Sequence, residues 1–350
     1  MNKVVDSPQA GIGTARCLKE AGLRIIGVDD TSLVTPNPDL FEKVFCWEEL
    51  RTMNFDALIR KLIDVKKIYG LDYLFPCYNE TAILFSFIKD KLDFLKIKLI
   101  APPKQTIKSL RKSNLASLIK TGDKYTAPKA KVFNNIQGAA IFAQSLGYPV
   151  VGKGLVKGAY ISKNKDDLKQ NIKKLADIWN NGEISCLVEE YISGKYVNCI
   201  VAINENKIVG YVEMAKIGLD QKGKYFIYEI NPRSPAWIYA PCLLGLNLPK
   251  LVTSPISEIV SFASKEGFFG RETKHFIRQD NGATWFGKIK KSRELFSLAK
   301  QLVESLDFDT SIIEIETIER VGGCEDRLGF YSKGAVYKSK DLKYPSDLLF

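Results

Sequence analysis

Residues 225–237 read YFIYEINPRSPAW. Four strand-forming residues run into Glu229, Asn231 and Arg233, and Pro232 breaks the ladder. On a strand, residues two and four apart share a face, so these three polar heads converge on one spot. A carboxylate and an amide oxygen suit a hard divalent cation such as Mg²⁺, and an arginine fork suits a phosphate or a carboxylate. A merely charged strand end is the plainer reading of the same residues. The rest of the chain decides between them.

Upstream, the first hundred residues alternate strand and helix signals. AGIGTARCLKEAG reads as a glycine turn feeding a helix, LRIIGVDD as a strand ending on acids, and FDALIRKLIDVKKIYG as a helix. LDYLFPCYNE reads as a strand and then a loop, TAILFSFIKDKLDFL as a helix, and KIKLIAPP as a closing strand. This βαβ rhythm predicts an open, mostly parallel sheet. GIG lacks the full GxGxxG fingerprint, and the strand before it, near NKVV, is short, so a nicotinamide-dependent oxidoreductase is a minor alternative.

From residue 101 the texture changes to α+β. IAPPKQTIKSLRKSNLASLIKTG is basic and helical, and NNIQGAAIFAQSLG has an Asn start and a Gly stop. KDDLKQNIKKLADIWNNG is an amphipathic helix, and YVNCIVAINENKIVGYVEMA reads as a hairpin turning at Asn204–Asn206. Further on, SRELFSLAKQLVESL is helical, SIIEIETIERV alternates as a half-exposed strand does, and GFYSKGAVYKSKDLKYP reads as a hairpin and tail.

The bulk numbers narrow the chemistry. With 350 residues, 45% hydrophobic and 26% charged, the chain has room for two or three domains and an ordinary soluble core. No apolar run is long enough to span a bilayer, and no signal h-region opens the chain, which predicts a cytoplasmic location and no membrane partner. One histidine, His275, excludes a His-based triad or a His-rich metal site. Seven cysteines, none in a CxxC pair, read as reduced and mostly buried thiols. A net charge of +11 suits an anionic small molecule; no RNP, helix-turn-helix or zinc-finger signature supports nucleic acid.

Two further motifs precede the opening stretch. In VVGKGLVKGAY, Lys153 ends an apolar strand, and Gly154 and Gly158 bracket a loop able to lay backbone N–H groups over phosphates. In LVEEYISG, alternation sends Glu189 and Glu190 to opposite faces of a strand end. Each alone reads equally well as a surface hairpin or a charged strand end. In this order, with EINPR third, the chain resembles the ATP-grasp superfamily over roughly residues 1–250. It looks most like the carboxylate–amine ligases related to carbamoyl-phosphate synthetase and biotin carboxylase.

That resemblance implies an α/β N-terminal parallel-sheet domain over residues 1–101, followed by an α+β ATP-grasp fold over 102–250 with a lid at about 125–190. Residues 251–350 are expected to complete the site or a homodimer. The implied cofactors are ATP and Mg²⁺. By the same resemblance, Lys153 meets ATP phosphate or the adenine side of the pocket, and Lys112 takes the family's other lysine position. Gly154, Gly158 and Ala159 form the phosphate-covering loop. Glu189, Glu190, Tyr191 and Ile192 form the hinge that reads adenine and ribose. Glu229 and Asn231 hold Mg²⁺, and Arg233 steadies the transferred phosphoryl group or an acyl phosphate. The implied substrates are a small carboxylate and an amine, joined through that acyl phosphate; the alternative is a degenerate relative that binds nucleotide without turnover.

The chain departs from the pattern in one place. The family carries another metal-binding acid on the strand before EINPR, about a dozen residues upstream, which falls near Ile217. The helix and strand that belong between VGYVEMAKIG and YFIYEINPR are missing there, and Glu213 and Asp220 are the nearest substitutes. In GRETKHFIRQD, Arg271, His275 and Arg278 read as a basic surface stretch, with contact to an anionic substrate as the second reading.

Overall fold

The computed structural model describes residues 10–29, 40–50, 53–119, 125–155, 158–179, 182–216, 224–256, 259–265, 267–271, 285–290, 293 and 295–320. Cys324, His275, Arg278, Ile217, Asp220 and the hairpin expected after residue 328 lie outside these residues.

The first region begins with α1 (Ala10–Glu20), which leads to β1 (Ile26–Asp29), paired in parallel with β2 (Lys43–Cys46). Next comes α2 (Phe55–Tyr69), started by the Asn54 side chain accepting from the Ala57 N–H and stopped by Gly70 at φ 72°. Its Leu58, Leu62 and Val65 repeat at helical spacing and are buried against β3 (Tyr73–Leu74), α3 (Asn79–Ser86), α4 (Lys89–Phe94) and β4 (Lys98–Leu99). β3 and β4 are parallel. The described strands here thus form two separate parallel pairs, not the single open sheet expected.

The basic helical stretch is also broken up. α5 (Lys104–Ser109) ends, Arg111 takes an extended backbone (φ −58°, ψ 143°), and a short 3₁₀ turn at Lys112–Asn114 precedes α6 (Leu115–Leu118). This break takes Lys112 out of the α-helix and toward Glu229. The short β5 (Tyr125–Thr126) follows.

Among the described residues a four-stranded antiparallel sheet follows: β6 (Ala130–Phe133), β7 (Val150–Gly154), β8 (Ala159–Ser162) and β9 (Cys186–Glu190), in the order β6-β9-β7-β8. α7 (Ile136–Leu146) and α8 (Lys165–Trp179) cover it, with Leu168, Ile172 and Leu175 packed on Val150 and Val188.

Among the described residues the largest sheet has eight strands. β10 (Lys195–Asn204) and β11 (Lys207–Lys216) form the expected hairpin, with Glu205 and Asn206 both at positive φ (48° and 60°). β12 (Lys224–Asn231) is the EINPR strand, followed by α9 (Tyr239–Leu243) and α10 (Leu248–Thr253). Then come β13 (Ser261–Phe262), β14 (Gly267–Arg271), β15 (Trp285–Lys290), α11 (Phe296–Ser305) and β16 (Ser311–Arg320). The order is β14-β15-β11-β10-β16-β12-β5, with β13 beside β11.

β16 corrects two expectations. It is a central strand, antiparallel to both β10 and β12, and from Ser311 to Ile315 it is buried throughout rather than half-exposed. With α11 it also supplies the helix and strand that are missing before EINPR, from about 80 residues later in the chain. The main core forms where Leu298, Ala299 and Leu302 of α11 pack on Ile313 and Ile315, beside Ile227 and Ile230 of β12.

Candidate active site

The site grows from the pairing of β12 with β16. Glu229 lies opposite Glu316, and Asn231 opposite Glu314, so the alternate acids of IIEIE share a face with the EINPR acid and amide. A bulge in the register between Ile227 and Glu229 lets Tyr228 and Glu229 line the same cavity although they are consecutive. The Asn231 Nδ2 donates to Glu316 Oε1 at 2.6 Å, and the Tyr228 hydroxyl donates to Glu316 Oε2 at 2.7 Å. Burial, then the charges of Glu314 and Glu229, push the Glu316 carboxyl up to about 8.

Glu314 does a different job. Its two oxygens accept from Arg233 NH1 (3.0 Å), Trp237 Nε1 (2.7 Å) and Asn198 Nδ2 (3.3 Å). It is an anchor, with its side chain 6% exposed, that holds the guanidinium just past the end of β12.

Two lysines close the other side. Lys112 Nζ lies 3.2 Å from Glu229 Oε1. Burial opposes the Lys112 charge, but Glu229, with Glu316 and Glu189 beyond it, outweighs burial and raises the ammonium's pKa. Burial likewise opposes the Glu229 charge, and Lys112, then Lys153 and Arg233, outweigh it and hold that carboxyl below its usual range. Lys153 is 3% exposed; its Nζ lies 2.6 Å from Glu189 Oε1 and 4.9 Å from the centre of the Tyr228 ring. Burial raises the Glu189 carboxyl despite that ammonium.

These groups surround a cavity of about 280 Å³. Of the residues singled out from sequence, Lys112, Lys153, Gly158, Ala159, Glu229, Asn231 and Arg233 line it. Gly154 ends β7, its N–H donating to the Gly158 carbonyl at 2.9 Å. Glu189 reaches the cavity through Lys153, whereas Glu190 turns away and accepts from the Lys129 N–H at 3.2 Å. Ile192 is buried with Phe226 and Tyr228, and Tyr191 is half-buried; neither lines the cavity. Sequence reasoning missed Asn79, Tyr228, Glu314 and Glu316. The acids at alternate positions of an otherwise apolar IIEIE were the available signal.

Glu213, a candidate substitute acid, is not part of this site. It is fully buried on the α11 side, accepting from the Tyr211 hydroxyl and from the Leu295 N–H (2.8 Å). Arg271 ends β14, far along the sheet order from β12.

The donor set fits Mg²⁺. Among the described residues no three His, Cys, Asp or Glu side chains are grouped to hold a metal by themselves. Two carboxylates and an amide oxygen are what Mg²⁺ ordinarily takes from a protein when substrate phosphates and water supply the rest. A cation between Glu229 and Glu316 would also relieve the repulsion that raises the Glu316 carboxyl.

No family model matches the chain. A D-alanine–D-alanine ligase of Ruminiclostridium cellulolyticum is 25% identical over 174 residues, 48% of this chain and 44% of that ligase. The chain thus matches less than half the length of that relative. The biotin carboxylase domain of Hydrogenobacter thermophilus 2-oxoglutarate carboxylase, solved with MgADP, ADP and bicarbonate, superposes with a TM-score of 0.56 at 13% identity, covering 89% of this chain and 90% of that one. An L-amino acid ligase from Bacillus licheniformis gives 0.57 at 12% identity, covering 87% and 97%. The chain has the ATP-grasp fold.

Proposed function

We propose that this chain is an ATP- and Mg²⁺-dependent carboxylate–amine ligase acting through an acyl phosphate. One observation carries the reading: Glu229, Asn231 and Glu316 converge with Lys112, Lys153 and Arg233 on one cavity. Glu229, Asn231 and Glu316 would hold Mg²⁺, which when bound neutralises phosphate charge. Lys112 and Lys153 offer two ammonium groups to the phosphates of ATP, under the turn from Gly154 to Ala159. Arg233, held by Glu314, faces the carboxylate substrate and the phosphoryl group in transfer.

Such residues suit the chemistry. A carboxylate resists amines because its oxygen is a poor leaving group. A carboxylate oxygen takes the γ-phosphoryl group and ADP departs; the amine then forms the C–N bond and inorganic phosphate leaves. Positioning and charge neutralisation drive both steps, and no nucleophilic side chain is needed. The alternative, a nucleotide-binding protein without turnover, drew on a missing metal acid; Glu316 opposite Glu229 supports the ligase reading over it.

A small amino-acid-like carboxylate is the proposed substrate, by analogy with relatives named for joining alanine and L-amino acids. The cytoplasmic location belongs to the same proposal; no helix among the described residues is long and apolar enough to cross a membrane.

The test is a hydroxylamine trap. The protein is incubated with Mg²⁺–ATP, hydroxylamine and pools of amino acids and small acids, and ADP and hydroxamate are followed together. Matched release of both names the acid. Tight ATP binding with neither product across a broad pool overturns the ligase reading.

A further inference from the structure

The metal strand is held from a part of the chain to which the site reading gives no role. Asn79 opens α3, just after the loop that follows β3, 152 residues away from Asn231 in sequence. Its Nδ2 donates to Asn231 Oδ1 at 2.8 Å, and it lines the same cavity as Asn231 and Glu316.

The direction of this hydrogen bond is fixed by its neighbours. The Asn231 amide nitrogen donates to Glu316 Oε1 at 2.6 Å and to Glu314 Oε2 at 3.5 Å, which turns its oxygen away from β16 and toward Asn79. Asn79 meets that oxygen and has to present its nitrogen. The consequence is visible at its other amide atom: Asn79 Oδ1 is buried and has no hydrogen-bond partner among the described residues. A buried acceptor left unpaired is unfavourable. Turning the Asn79 amide over to pair it would set two carbonyl oxygens against each other. The amide is therefore kept in one orientation by what Asn231 requires.

We propose that Asn79 is a positioning residue for the divalent metal, locking the Asn231 amide so that its oxygen faces the cation. The proposal rests on the reading of Glu229, Asn231 and Glu316 as the metal set. Groups that orient a ligand are worth about 10–100-fold in metal affinity.

The test uses Mn²⁺ as the probe, bound to the full chain in the presence of ADP and followed by electron paramagnetic resonance. Wild type is compared with Asn79→Ala, Asn79→Leu and Asn231→Ala. The leucine variant keeps the volume and removes the donor, which guards against a collapsed loop. ADP affinity in EDTA is measured for each. The expected result is Mn²⁺ binding weakened about 10–100-fold in both Asn79 variants, with ADP binding in EDTA unchanged. A merely structural role would move both affinities together, and that outcome overturns the proposal. So does wild-type Mn²⁺ affinity in the Asn79 variants while Asn231→Ala loses it. Wild-type affinity in Asn231→Ala removes the metal reading itself, and this inference with it.

Discussion

Glu314 gathers the Arg233 guanidinium, the Trp237 indole and the Asn198 amide around one buried carboxylate. Glu314→Ala removes the one carboxylate that these three groups share, and breaking a buried pair in this way costs about 3–5 kcal/mol. Urea unfolding should report a loss of that size, and a smaller one for Glu314→Gln, which keeps one acceptor. Glu316 gives a pH signature. Its folded carboxyl titrates at about 8 against an ordinary 4.5, so between those values the folded chain keeps a proton that the unfolded chain has lost. The stability this group contributes is full below the unfolded value and is lost as pH rises toward 8. In EDTA, wild type should lose stability relative to Glu316→Gln between pH 5 and pH 8; a parallel trend in the two proteins would mean that Glu316 does not carry the effect. At this scale the sequence was legible where function sits on one short stretch. Glu229, Asn231 and Arg233 come two apart on one strand end. Glu316 was not legible, because an acid on an alternating strand acquires its meaning only from the strand it pairs with, and pairing partners are not written locally.

Among the elements, β16 bears most. Ile313 and Ile315 are fully buried on the face that meets α11. Ile315→Ala should cost about 2–5 kcal/mol in unfolding free energy, as truncations in a close-packed core do. If the cost falls below 1 kcal/mol, the strand is not central. The hairpin from β10 to β11 was readable because Asn tolerates the positive φ its turn demands. The basic stretch before residue 120 was not, since its helical composition says nothing about the extended backbone at Arg111 that delivers Lys112 to Glu229. Tertiary contact overrode local propensity there.

Over the whole molecule, the chain reaches its sheet by an indirect route. The family pattern places a helix and a strand before EINPR in sequence, and their absence at that point made them look deleted. Lys216, the last residue of β11, pairs with Gly287 of β15, and Lys224, the first of β12, pairs with Arg320, the last of β16. Residues 285–320 therefore fit between 216 and 224 with a tight turn at each junction. A chain in which residues 285–320 replace 217–223 and residue 284 is joined to 321, the rest left in order, should fold to the same sheet. Its melting temperature and its thermal shift with Mg²⁺–ADP should stay close to those of the parent; loss of the nucleotide response would show that the site depends on the order in which the chain is joined. The native order also sets a schedule during synthesis. Glu316 lies 85 residues after Asn231. At about 5–20 residues per second, a ribosome needs about 4–17 s to add that stretch. For that interval the facing edges of β10 and β12 stand open, a template for another nascent chain, until β16 arrives.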